Sequence, residues 1–158
     1  MPDPLHPAIS ARLASIGIRE PDPTDPMHVR LVAALSGVVA QSVGAQLLAM
    51  RFEFVSRFQE AGAMHVRKRI AHKRYVAALV KRLREADPKL SRTAAKQEAE
   101  ETDEALELEG DADAWKAEES AMRQWLQAMD AASRNHATDR ADERATFIGR
   151  GQIPEQAT

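Results

Sequence analysis

Arg67, Arg74 and Lys81 recur every seven residues, a spacing that puts them on one side of an α-helix, with Lys68 and Arg82 beside them. Tyr75 borders the row, while Val76, Leu79, Val80 and Leu83 face the opposite way. Such a file of cations spans about 20 Å along a helix axis, enough to follow a phosphate backbone. An aromatic ring at its edge can stack on a base. The chemistry on offer at Arg67, Lys68, Arg74, Tyr75, Lys81 and Arg82 is therefore binding of nucleic acid. No helix-turn-helix, RNA-recognition or zinc-finger signature accompanies it.

A competing use for these bases lies in the same chain. Residues 65–84 hold eight bases and no acid, whereas residues 98–113 hold nine acids and no base. If the chain folds back at residues 87–90, Lys68 comes to face Glu109, Lys73 faces Glu104 and Arg74 faces Asp103. The two blocks would then neutralise each other as a charge zipper, with no ligand needed.

Other reactive constellations are missing. Glu98, Glu100, Glu101, Asp103, Glu104, Glu107 and Glu109 have neither EF-hand spacing nor a Glu-x-x-His pair, so a solvated face is expected and no metal. His65 and His72 share a helix side but stand two turns apart, and His6, His28 and His136 are isolated. There is no Gly-x-Ser-x-Gly, His-Glu-x-x-His or phosphate-binding glycine loop. Neither catalysis nor a cofactor is expected. Zero cysteines exclude disulfides, thiolate zinc sites and a Cys nucleophile. The Met-Pro-Asp-Pro start lacks a basic stretch followed by an apolar run, so the expected setting is cytoplasmic. A net charge of -2 means that any pull on polyanions must be local.

The elements that must position these groups are helical. Over 158 residues, aromatics make up 4 %, charged residues 29 % and hydrophobic residues 44 %, many of them alanine, with only 7 glycines. That balance favours an all-α chain. Six of the eight prolines fall in residues 1–26, a Pro-rich arm in which residues 7–16 can form a short helix. Asp25 before Pro26 is an N-cap followed by proline at the first helical position. From there one helix is expected over residues 27–86, with kinks possible at Gly37, Gly44 and Gly62. Asp87-Pro88 stops it and Ser91 offers the next N-cap. The second arm is expected over residues 91–147, broken or kinked at Gly110-Asp111, with a flexible tail at 148–158. The fold class is thus a long antiparallel helical hairpin resembling a coiled coil. The same fold-back pairs Trp115 with Gly62 and Phe58, Met122 with Val55, Trp125 with Phe52 and Met129 with Leu48, so the large residues meet in a core.

Residues 31–58 carry more apolar surface than one partner helix can use. Leu31, Leu35, Val38, Ala45, Leu48, Phe52 and Val55 form one stripe; Val32, Val39, Val43, Leu47, Met50 and Phe54 form a second. A helix apolar on two sides is buried on two sides. The second stripe is therefore expected to be an oligomer interface, helped by small residues at Ala33, Gly37, Ala40 and Gly44. Two alternatives stay open: cover by Ile9, Leu13, Ile16 and Ile18 of the arm, or a membrane span over the uncharged residues 31–50. Ser36, Gln41, Ser42 and Gln46 weigh against the membrane. Near the C-terminus, like charges at Asp139 and Glu143 and at Arg140 and Arg144 call for counter-charge from elsewhere.

Residues 75–144 resemble small helical accessory proteins of tailed actinobacterial phages found near recombination genes. The likeness rests on Tyr75, Ala77 and Ala78, then Ala94, Ala95, Glu98 and Ala99, then Glu119, Arg123 and Leu126, and a tail of Ser133, Arg134, Ala137, Arg140 and Glu143. Asn135-His136 departs from the small residues of that pattern. The resemblance implies an accessory, non-catalytic role in phage DNA metabolism. A homo-oligomer, from the second apolar stripe, and a protein partner are expected beside it. The alternatives are a phage assembly protein whose function is oligomerisation, and a small membrane-associated protein.

Overall fold

The computed structural model describes residues 5–151, with side chains through residue 146. Its elements are α1 (Pro7–Ala14), α2 (Pro26–Val38), α3 (Val43–Ala86), α4 (Arg92–Glu100) and α5 (Asp103–Gly151). No strand occurs among the described residues, and α3 and α5 pack antiparallel as a hairpin. Described residues up to Phe54 together with those from Gln124 onward form one compact unit; Val55–Arg123 form another.

In the first unit the Pro-rich arm is a built structure. Gly17 adopts a positive φ of 95°. This lets Ile18 N–H reach Leu13 O at 3.0 Å and Gly17 N–H reach Ala14 O at 3.0 Å, the Schellman closure of a helix end. Leu13 and Ile18 are both buried at that closure, as are Ile9 and Ile16. They share the core with Met27, Leu31 and Leu35, so the chain's own arm covers the apolar side of α2. Between these helices the Asp22 carboxylate accepts from Thr24 Oγ1 and Thr24 N–H, both at 2.7 Å, which holds it below the usual carboxylate range. Asp25 caps α2 as expected, accepting from Met27 N–H at 2.7 Å and His28 N–H at 3.3 Å.

The single helix expected over residues 27–86 is two. The chain leaves the helix at residues 39–42 and re-enters at Val43. Gln46, only 5 % exposed, donates through Nε2 to Val39 O at 3.0 Å and Gln41 O at 3.2 Å, satisfying carbonyls that the ended helix leaves open. Ser42 Oγ accepts from Ala45 N–H at 3.3 Å and starts the next helix. The break also divides the uncharged stretch, and no helix among the described residues is long and apolar enough to cross a membrane.

Beyond the break the two apolar stripes have exchanged places. Leu47, Met50 and Phe54 point into the unit and are buried, with Phe54 stacked on Trp125 at 5.6 Å between centroids and Met129 beside them in the core. Leu48 and Phe52, expected inside, are 67 % and 71 % exposed. Trp125 thus meets Phe54, two residues beyond the expected Phe52. Arg51 pairs with Asp130 at 3.1 Å.

The second unit is held by smaller side chains. Its buried apolar residues are Ala61, Val76, Ala95, Ala99, Ala105, Ala112 and Met122. Asp87-Pro88 stops α3 as expected, with Lys89 N–H on Asp87 Oδ1 at 3.0 Å and Ala94 N–H on Ser91 Oγ at 3.1 Å. The second arm breaks at residues 101–102, not at Gly110, which sits inside the uninterrupted α5. Thr102 bridges the break: its Oγ1 donates to Ala99 O at 2.9 Å and accepts from Ala105 N–H at 3.4 Å. Lys68 meets Asp111, two residues beyond the expected Glu109, at 2.6 Å. At the far end α5 continues through Gly151, past the expected boundary at 147. The remainder of that tail, 152–158, lies outside the described residues, as do the first four residues of the arm.

Candidate nucleic-acid interface

The expected cations divide into two groups. Lys68 is half-buried and held by Asp111, whereas Arg67, Arg74, Lys81 and Arg82 are exposed on α3. Among the described residues, Lys68–Asp111 is the one ion pair joining the basic block to the acidic block; Lys73–Glu104 and Arg74–Asp103 do not form. Lys81 reaches only Glu85 on its own helix, at 3.8 Å. The charge zipper is therefore a single stitch. Tyr75 packs half-buried with Leu79, Val80 and Leu83 against Val76, Ala99 and Ala105. Its ring contributes to the core and borders the row without standing on it.

Cations nearer the middle of α3 are committed to structure. Arg57 lies over the Trp115 ring at 5.2 Å and donates to Glu60 and Glu118, both at 2.9 Å. Burial works against its charge, but the hydrogen bonds to Glu60 and Glu118 outweigh burial and raise its pKa. His65 and Arg123 share Glu119, at 3.4 Å and 3.1 Å, and Arg123 covers the Phe58 ring at 5.8 Å. Arg57 and His65 thus hold partners within the second unit, whereas the Arg123 side chain stays largely exposed beside Glu119.

No family model, curated protein or solved structure matches this chain. The reading of the site therefore rests on its own geometry.

That geometry adds residues that the sequence row does not contain. On α4, Ala95 and Ala99 are the buried stripe that meets α3. Arg92, Lys96 and Glu100 recur every four residues alongside this stripe, which brings them to the edge of the α3–α4 seam. They face His72, Lys73, Val76, Ala77 and Val80 of α3 across a groove of about 380 Å³. His72 and Lys73 also line an adjoining groove of about 290 Å³, together with His65, Arg69, Lys116, Glu109 and Asp113. Arg92 and Lys96 lie past the turn, among residues that read as the acidic arm. Only the fold-back places them beside Lys73, although their i, i+4 spacing next to two alanines is visible in the sequence.

The expected oligomer residues are placed differently from the expectation. Val32, Val39 and Val43 are half-buried, and Leu47, Met50 and Phe54 are inside the first unit. The outward face of this stretch is instead Leu48 and Phe52, which with Val38, Ala45 and Ala49 line a shallow groove of about 380 Å³. Arg134, Asp139, Arg140, Glu143 and Arg144 are exposed on α5, and among the described residues no ion pair supplies the counter-charge their spacing calls for.

Proposed function

We propose that this chain is a non-enzymatic helical binding protein that contacts nucleic acid through the exposed face of α3, as an accessory factor in phage recombination or replication within the host cytoplasm. The observation that supports the contact is that Arg67, Arg74, Lys81 and Arg82 stand exposed in one file and, among the described residues, no carboxylate of the opposite arm pairs with them. The phage setting rests on the resemblance over residues 75–144 alone.

Replacing Arg67, Arg74 and Lys81 by glutamate tests the contact. Retention of duplex DNA on a native gel should be lost, while helicity measured by circular dichroism stays unchanged because all three side chains are exposed. With neutral glutamines at the same positions, the slope of log K against log salt should fall by about 2.7, at about 0.9 per phosphate contact. Unchanged retention would remove this face as the site.

One observation favours a second reading, that of an assembly protein. Leu48 and Phe52 expose most of their surface on a contiguous apolar face. Faces of this kind mark sites of protein association. Under that reading the chain joins copies of itself there and DNA is irrelevant.

A further inference from the structure

We propose that the groove between α3 and α4 binds a single strand of nucleic acid, with the phosphates on Lys73, Arg92 and Lys96 and the bases against Ala77 and Val80. This rests on the nucleic-acid reading above and deepens it by assigning a second surface and a strand state.

The groove has the two properties such a ligand requires. Its rim carries three permanent cations, Lys73, Arg92 and Lys96, against one carboxylate, Glu100. Its floor is apolar, formed by Val76, Ala77 and Val80. Arg92 and Lys96 are one turn apart, about 6 Å along α4, so consecutive phosphates of an extended strand can each meet a cation. Lys73 closes the rim from α3. Proteins that hold single strands combine a positive groove with a surface for base faces, and this one substitutes branched aliphatics for aromatic platforms. Sequence preference should be slight.

Size separates this groove from the outer file of α3. Ala95 and Ala99 bring α4 against α3, and a seam of about 380 Å³ between touching helices has no room for a duplex. A single strand can lay its backbone along the rim and turn its bases inward. The outer file, by contrast, stands on an open helix face that a duplex backbone can approach. Glu100 is the internal competitor: it holds Lys96 at 3.2 Å and must yield that contact to a phosphate.

Fluorescence anisotropy of the full chain with labelled oligothymidylate, and separately with a hairpin duplex of equal charge, tests the assignment. Arg92→Gln with Lys96→Gln should weaken oligothymidylate about 25-fold at 0.1 M salt and lower its salt slope by about 1.4, at about 0.7 per phosphate of a single strand. Duplex affinity should hold in that variant and fall when Arg67, Arg74 and Lys81 are made glutamine. Glu100→Gln should tighten the single strand, and Lys96→Arg should bind as the parent does, which separates lost charge from a damaged fold. Oligouridylate should behave as oligothymidylate does. Strand affinity unchanged by the double substitution, or weakened equally for strand and duplex, overturns the groove. A parent chain that binds duplex but no single strand also overturns it and leaves the α3 file intact. A parent chain that binds neither overturns both.

Discussion

Gln46→Met removes a side chain that closes the break between α2 and α3 while leaving length, shape and helix propensity nearly unchanged. The amide donates to Val39 O and Gln41 O. Gln41 is exposed, so water can replace the second bond, whereas Val39 is half-buried and its carbonyl loses its partner in a drier place. An unsatisfied buried acceptor costs about 1–3 kcal/mol. Against this, a thioether at a position only 5 % exposed returns about 1 kcal/mol of apolar burial. The expected net loss is about 1 kcal/mol. With a urea slope of about 2 kcal/mol/M, the midpoint should fall by roughly 0.5 M, followed by circular dichroism at 222 nm. The control is Gln41→Met, whose exposed side chain makes the change worth less than about 0.5 kcal/mol. A Gln46→Met midpoint equal to or above that of the parent would refute the role given to this residue. The break would then be held by packing alone.

Two glycines should respond in opposite directions. Gly17→Ala places a Cβ on backbone at φ 95° and should cost about 1–2 kcal/mol even though no neighbour obstructs it. Gly110→Ala fills open space on a continuous helix and should gain about 0.5–1 kcal/mol; a loss there would mean that α5 needs the break expected at that position. For the assembly reading, Leu48→Gln with Phe52→Gln should reduce the mass seen by light scattering from an oligomer to a single chain. A mass unaffected by the pair would exclude that face.

What could be read from the sequence was whatever is specified locally. Asp25-Pro26, Asp87-Pro88 and Ser91 act on neighbours within three or four residues, and each does in the fold what its chemistry requires. The hairpin itself follows from the short turn, and the pairing of Lys68 with an acid near residue 109 came within two residues. Breaks without proline were hidden. Residues 39–42 leave the helix because Gln46, several residues on, satisfies their carbonyls, and residues 101–102 because Thr102 serves both helices at once. The inward side of α3 was also hidden, since its two apolar stripes are nearly equal in content and lie on nearly opposite sides of the helix. In the fold Phe54 is inward and Phe52 outward. Cations brought together from two helices, such as Lys73 and Arg92, have no local signature.

The alanine contacts of the second unit have a consequence for how that part of the chain behaves when it opens. Burying a methyl group returns far less than burying Leu or Phe, and alanine gives up no rotamer freedom on burial. Were α4 to lift from α3 for a moment, Val76 and the partly covered Tyr75, Leu79, Val80 and Leu83 would be wetted along with the alanine methyls of α4. The α4 side of such an opening would show little more than methyl groups, whereas the α3 side would uncover a strip of aliphatic and aromatic surface, as an excursion around Phe54 and Met50 would.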